Sequence, residues 1–475
     1  MNILLLVAPS SGALELENSN EIAQNMGFYP PLGIMYIASN LKQKTNHNVS
    51  VIDSESERLS YAQIEKRIVE FRPDVVGLTT FTNTLLNVLD VLKIIKKVNH
   101  EIITVLGGPH LSLYPDETIG FPEVDFAFNG DGEDVFVEFV NLLEQYSKQI
   151  PESELEKLPG IIFRKTDGSI IKNGYARVAD IDALPFPDRS FINEDLYFCI
   201  LGKPKKMTTI MSSRGCPFKC TFCNTPDKQY RYRNAVNVVD EMEYLSKRGV
   251  EEIFFFDDLF NINARRGIEI CDEILKRGLK VSWAFRGRVA GMNEEFAKKA
   301  AEAGCTRIQF GIEKATDEGL LKVRKGAKVK QILNAVNLTK KYGMMCVGNF
   351  LLFTPGETEK DVEEIIQFAL KLKLDHAEFS VFIPYPGTKI FEDGLKSGFF
   401  DKDYWAEYAK NPTKDFHLVW EETTPIDKMY EISNKAHKRF YFRPRIIWNE
   451  LKATTSLIEF KRKFNGALII LNLKA

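Results

Sequence analysis

Two successive series of short apolar runs alternate with amphipathic helical patterns along this 475-residue chain. That rhythm narrows the folds open to it more than any other feature. In the first series, residues 1–145, strands are predicted at 2–8, 48–53, 74–80, 101–106 and 124–128. Helices are predicted between them at 32–44, 61–72, 85–99 and 134–145. Strands separated by helices do not pair as hairpins; they line up in a parallel sheet covered on both faces, the doubly wound α/β arrangement. From residue 206 the rhythm resumes, with strands predicted at 207–212, 252–257, 280–285, 306–311, 345–353 and 376–382. Helical patterns such as 236–248, 265–277, 294–303 and 358–372 separate them. Six strand–helix units over residues 206–395 predict an open partial (β/α)6 barrel with its site at the C-terminal strand ends.

Residues 146–205 read as a linker with some β structure, marked by Pro151, Pro159, Pro185 and Pro187 and a turn at Asp167-Gly168. Residues 396–475 read as a mainly helical C-terminal region. Hydrophobic content of 44% and charged content of 27% are those of an ordinary soluble globular protein, and a net charge of −2 gives no reason to expect nucleic acid. No stretch approaches the roughly 20 apolar residues needed to cross a membrane. The opening run 1–8 is short and lacks a positive lead, so it reads as a first strand, not a signal peptide. A cytoplasmic protein is expected.

Chemistry enters with Ser213-Arg-Gly-Cys-Pro-Phe-Lys-Cys-Thr-Phe-Cys223, directly after the first barrel strand. Cys216, Cys220 and Cys223 in C-x3-C-x2-C spacing can hold three irons of a 4Fe-4S cubane, which normally takes four cysteines. No fourth cysteine lies nearby, so one iron is left open to a ligand. Zinc prefers four ligands and paired C-x2-C spacing, and no second Cys/His pair is present. Cys199, Cys271, Cys305 and Cys346 stand alone, and Cys271 and Cys305 read as core thiols in a reducing compartment.

The stretch 214–223, with aromatic Phe222 before the third cysteine, resembles the signature of radical S-adenosylmethionine (SAM) enzymes. The resemblance implies that the three cysteines bind three irons while SAM chelates the fourth. Reductive cleavage of SAM would then give methionine and a 5′-deoxyadenosyl radical. Other strand ends match the same family. Asp257 and Asp258 in Phe256-Asp-Asp-Leu-Phe260 stand where the family faces the SAM amino group, and either could instead cap the next helix. Glu313 in Gly311-Ile-Glu313 is similar to the glutamate that bonds the SAM ribose. Arg286 and Arg288 close the third strand and by alternation point the same way; Arg288 is preferred as a clamp on the methionine carboxylate. Loops 353–358 and 384–388 resemble those around the adenosine.

The N-terminal segments Tyr29-Pro-Pro-Leu-Gly33, Val76-Gly-Leu-Thr-Thr80, Leu106-Gly-Gly-Pro-His110 and Asn129-Gly-Asp-Gly-Glu133 resemble those of cobalamin-binding radical SAM proteins. That group includes the anaerobic magnesium-protoporphyrin ester cyclases and class B radical SAM methyltransferases. The resemblance implies cobalamin at the carboxyl ends of the sheet, with Thr79, Thr80, Gly107, Gly108 and Gly130 touching its nucleotide tail. The Asp-x-His-x-x-Gly of methionine-synthase-type domains is missing: Asp53 is followed by Ser54, Glu55, Ser56, Glu57 and Arg58. No protein histidine would therefore lie below the cobalt, and His110 reads as a loop residue.

With these cofactors the resemblance implies radical methylation of an unactivated carbon. Radical oxidation, cyclisation or rearrangement without methyl transfer is the alternative within enzymes. A cluster- and cobalamin-binding sensor or electron carrier is a third reading, and the open iron argues against it. The partners implied are a small-molecule or lipid-like substrate and an electron donor such as flavodoxin or ferredoxin. Residues 435–463 hold nine Lys or Arg against two acidic residues, with aromatics interleaved. Packing of this segment on the barrel by snorkelling basic side chains is favoured over peripheral membrane contact.

Overall fold

The computed structural model describes residues 1–10, 14, 27–199, 201, 206–416, 418–454 and 457–472. They divide into two units, one drawn from residues within 1–15, 30–196 and 400–417, the other from within 16–29, 197–399 and 418–475.

The first unit is built on a seven-stranded sheet. Its strands are β1 (Asn2–Val7), β2 (Asn48–Asp53), β3 (Val75–Thr79), β4 (Ile103–Gly107), β5 (Phe126–Phe128), β6 (Ile161–Arg164) and β7 (Ile170–Lys172). Their spatial order is β2-β1-β3-β4-β5-β6-β7, the first five parallel. Ile3 to Leu6 are all buried, as a central strand covered on both faces requires. The helices pack in pairs, Leu32–Lys44 with Glu133–Gln145 and Tyr61–Phe71 with Leu85–Val98. A capping box at Ser60 and Gln63 starts the helix Tyr61–Phe71. β6 and β7 join antiparallel, so residues expected in a linker extend the sheet. A hairpin through the Asp167-Gly168 turn suffices for this, because antiparallel strands need no crossover helix. Residues 200 and 202–205 of that stretch lie outside the described residues.

The second unit holds a six-stranded, all-parallel sheet in sequential order: β8 (Met207–Ile210), β9 (Glu252–Phe255), β10 (Ser282–Gly287), β11 (Cys305–Glu313), β12 (Met345–Leu352) and β13 (His376–Val381). This is the expected (β/α)6 partial barrel. Asn234, Asn263, Asn293, Thr358 and Thr388 each end a βα loop by accepting a backbone N–H of the following helix. One face of the strands, with Ile253, Phe255, Trp283, Phe285, Ile308, Phe310 and Phe379, joins the helices in one core. The alternate positions are largely polar, among them Arg286, Gln309, Asn349, Glu378 and Ser380. The four lone cysteines are all buried.

The helix Ile426–Tyr441 lies against β13 and buries Met429, Ala436, His437 and Phe440. Beyond it the packing expected for residues 435–463 holds in part. Ile446 is buried in the barrel core and Arg443 and Arg445 donate to the Leu370 and Leu374 carbonyls, while Trp448 and Phe460 are exposed. Residues 473–475 of the expected helical region lie outside the described residues. Among the described residues no helix is long and apolar enough to cross a membrane.

Candidate active site

The cysteine loop leaves the barrel where β8 ends, on a short stalk in which Ser213–Arg214 pairs antiparallel with Arg231–Tyr232. Gly215 turns the chain at φ +80°, where a Cβ would stand 2.3 Å from the Gln229 carbonyl oxygen. Only glycine fits that approach. The Cys216 amide donates to the Asp227 carbonyl at 3.1 Å. Thr221 is tied in both directions: its amide donates to the Val323 carbonyl at 3.1 Å, and its carbonyl accepts from the Ile390 amide at 3.0 Å. Cys216 and Cys220 are half-buried, and Cys223 is exposed. Burial pushes the Cys216 thiol pKa up, and the neighbouring Cys223, Asp258 and Cys220 add to the shift. Among the described residues no three His, Cys, Asp or Glu side chains converge as ligands of a single ion would. A cubane asks for a different layout, one thiolate per iron, and three thiols spread over one braced turn fit it.

Asp257 and Asp258 part company. Asp257 is 2% exposed, and both its oxygens are engaged. One accepts from the Ser212 amide at 2.6 Å, the other from the Ser212 hydroxyl at 2.6 Å and the Ser213 hydroxyl at 2.7 Å. It therefore braces the root of the cysteine loop and does not stand free for a ligand. Asp258 accepts from the Gly215 amide at 2.9 Å, while its side chain opens to solvent. Crowding by the surrounding protein raises its pKa, with Asp257 and Asp227 adding and the Gly215 amide opposing.

The two arginines part as well. β10 ends at Gly287, so Arg288 has left the pleat and alternation no longer aligns it with Arg286. Arg286 is exposed and lies over the Phe256 ring at 4.8 Å. Arg288 is buried, its guanidinium 3.7 Å above the Phe218 ring and its Nη1 donating toward Cys220 Sγ at 3.7 Å. The buried Asn261 amide fixes its backbone, accepting from the Arg288 N–H at 2.8 Å and donating to its carbonyl at 2.9 Å. The Nε and Nη2 of Arg288 are buried without a partner. Unmatched buried donors cost about 1–3 kcal/mol each. Two of them on one guanidinium beside the cluster loop match a carboxylate ligand.

Glu313, at the end of β11, takes φ +67° after a break in register between Gly311 and Glu313. Its Oε1 accepts from Lys325 Nζ at 2.8 Å, and that ammonium lies 5.7 Å from the Phe222 ring centroid. A Cβ on Gly311 would stand 2.5 Å from the Glu313 carboxylate. A left-handed glutamate costs about 1–3 kcal/mol, a strain that clusters at functional sites. Cys220, Phe222, Arg288, Glu313 and Lys325 thus gather at the C-terminal strand ends. Asn261 and Lys325 carry no readable motif; only the flanking Gly326 hints at a special turn.

In the first unit the order β2-β1-β3 places the switch point between β1 and β3. Thr79 ends β3, and Thr80 is fully buried with no partner for its Oγ1. Gly107 has open space where a Cβ would be, while a Cβ on Gly108 would stand 2.6 Å from the Thr80 carbonyl oxygen. Open backbone beside an unmatched hydroxyl fits a bulky polar ligand tail. Gly130 is required for another reason, since its Cβ would stand 2.2 Å from the Ala176 carbonyl oxygen. His110 is buried, bonds Thr82 Oγ1 through Nδ1 at 3.0 Å, and burial lowers its pKa to about 4.

Comparison with known proteins gives two family matches: a radical SAM superfamily domain over residues 210–369 and a B12 binding domain over residues 22–140. An uncharacterized methyltransferase of Pyrococcus horikoshii is 32% identical over 98% of each chain. The anaerobic magnesium-protoporphyrin IX monomethyl ester cyclase of Rubrivivax gelatinosus is 30% identical over 80% of this chain and 69% of its own. Among solved structures, the radical SAM methyltransferase TsrM of Kitasatospora setae, with cobalamin and a [4Fe-4S] cluster bound, has the same fold. It superposes with a TM-score of 0.75 over 99% of both chains at 16% identity.

Proposed function

The chain belongs to the radical SAM superfamily, with a B12-binding domain ahead of the radical SAM domain, and on that premise we propose that it methylates an unactivated carbon of a small molecule. It is a cobalamin-dependent radical SAM enzyme, with a 4Fe-4S cluster, SAM and cobalamin as cofactors. When bound, the cluster and SAM supply a hydrogen-abstracting adenosyl radical, and cobalamin supplies a methyl carrier.

In this reading Cys216, Cys220 and Cys223 hold the cluster, and the unmatched donors of Arg288 take the SAM carboxylate. Asp258 receives the SAM amino group, because Asp257 is engaged with Ser212 and Ser213. Glu313, held by Lys325, faces the ribose. Phe222 gives an apolar wall beside the cluster. Thr79, Thr80, Gly107 and Gly108 receive the cobalamin tail, while Gly130 shapes the neighbouring turn. The observation that carries the proposal is the joining, in one chain, of this thiol-and-guanidinium site to a B12-type sheet. The 32% identical methyltransferase supports the choice of reaction. A second reading, cyclisation or oxidation without methyl transfer, draws on the 30% identical cyclase. A reducing cytoplasm with a flavodoxin- or ferredoxin-type donor suits either.

Anaerobic reconstitution with iron, sulfide and cobalamin, followed by reduction and methyl-deuterated SAM, tests the proposal. Formation of 5′-deoxyadenosine together with label on the extracted cobalamin is expected. Deoxyadenosine without labelled cobalamin would replace methylation by the cyclase-type reading, and absence of both would refute SAM chemistry.

A further inference from the structure

The last two helices carry an apolar face that the fold leaves bare. In Pro444–Ala453, Trp448 and Leu451 are exposed. In Leu457–Asn472, Phe460, Phe464, Leu468 and Leu471 are exposed, a spacing of three and four residues that draws one stripe along one side of the helix. Trp448 is 64% exposed and Phe464 53%. A helix of this length makes the stripe roughly 20 Å long. Soluble monomers rarely show contiguous apolar surface of that kind unless it binds something.

Charge says what it binds. Both acidic residues of these two helices, Glu450 and Glu459, are paired with Lys463, and Lys435 and Arg439 of the preceding helix pair with Glu431 and Glu363. Lys452 and Lys461 are exposed on the same two helices. These lysines set positive charge beside the exposed apolar side chains, which is the complement of an anionic lipid surface. We propose that the helices Pro444–Ala453 and Leu457–Asn472 dock the enzyme on an anionic lipid membrane. They lie in the interface plane, with Trp448, Phe460 and Phe464 at the boundary between headgroups and acyl chains. No described helix is long and apolar enough to span, so the chain lies on the membrane and does not cross it. Tryptophan suits that boundary, since its ring is apolar and its N–H is wet. The inference stands apart from the proposed reaction, because none of these residues belongs to the cofactor sites.

Flotation of the intact chain with vesicles of phosphatidylglycerol and phosphatidylcholine, against phosphatidylcholine alone, tests it. Binding to the anionic vesicles only is expected. The double variant Trp448→Ser with Phe464→Ser should bind about tenfold or more weakly. Lys452→Gln and Lys461→Gln should each lower binding about fivefold. The melting temperature and SAM cleavage of all these variants should match the parent, because the side chains are exposed and belong to neither proposed cofactor site. Equal binding to both vesicle types, or none to either, would overturn the proposal. So would a dimer in light scattering that the Trp448→Ser/Phe464→Ser variant dissolves, since the stripe would then be a subunit interface.

Discussion

Asp257→Asn separates two roles that adjacent carboxylates could share. Asp257 accepts from the Ser212 amide at 2.6 Å, the Ser212 hydroxyl at 2.6 Å and the Ser213 hydroxyl at 2.7 Å, all buried. Hydrogen bonds to a charged acceptor are worth about 1.5–3 kcal/mol each. Asparagine removes the charge and turns an NH2 toward a donor, so roughly 3 kcal/mol of loop stability is lost. For a unit of this size that lowers the melting temperature by about 6–12 °C. Because Ser212 and Ser213 lead directly into Gly215 and Cys216, cluster uptake should fall as well. Asp258→Asn should do the reverse: the side chain opens to solvent, so stability and cluster yield stay near the parent while SAM affinity drops. Thermal melts of the apo chain, the visible cluster band after anaerobic reconstitution, and calorimetric SAM titration read the three quantities separately. An Asp257→Asn variant with normal melting and normal cluster yield, but no SAM binding, would refute the bracing role.

Gly215→Ala should abolish cluster incorporation, judged by iron content, because its Cβ would stand 2.3 Å from the Gln229 carbonyl oxygen at a backbone φ of +80°. Arg288→Ala should leave the cluster in place and weaken SAM binding by ten- to a hundredfold in titration, as expected for the loss of a bidentate charge-assisted contact. Thr80→Val removes a buried hydroxyl that has no partner in the protein, so the apo chain should melt at the same temperature or slightly higher while cobalamin retention falls. Burial lowers His437 from 6.5 to about 4, its Nδ1 bonding the Ser433 carbonyl and its Nε2 accepting from the Phe379 amide. Below its ordinary pKa the unfolded chain takes up a proton that the folded one refuses. This contribution is therefore full above pH 6.5 and falls by up to about 3 kcal/mol as the pH approaches 4. Melting temperature against pH should slope accordingly, and His437→Asn should flatten the slope.

Periodicity alone placed the barrel strands and the first five strands of the N-terminal sheet. A parallel strand buried on both faces must be written as an apolar run, and the helix behind it as a stripe. In sequence, residues 146–205 read as a linker with some β structure and a turn at Asp167-Gly168. The joining of the hairpin β6–β7 to the sheet edge is not legible there, because four prolines lie nearby and an edge hairpin needs only a few apolar residues. The basic aromatic segment packs on the barrel only in its first part, through Phe440 and Ile446, because composition records that a helix is apolar and basic, not which of its side chains meets a neighbour.

At the site the division is finer. Cys216, Cys220 and Cys223 can be proposed as cluster ligands from sequence alone, because the spacing a cubane asks for is local, within one turn of chain. The choices between Asp257 and Asp258, and between Arg286 and Arg288, cannot be made that way. Each pair has the same residue type and nearly the same position, and what distinguishes its members is a partner far away in sequence: Ser212 for Asp257, Asn261 and Phe218 for Arg288. The sequence by itself determined the class of chemistry and the order of the two domains, since both follow from local pattern. Only the tertiary structure decided which carboxylate is a brace, which guanidinium is left with unmatched donors, and which apolar face is left bare. Those properties depend on what else occupies the space around a side chain, and that is a fact of packing.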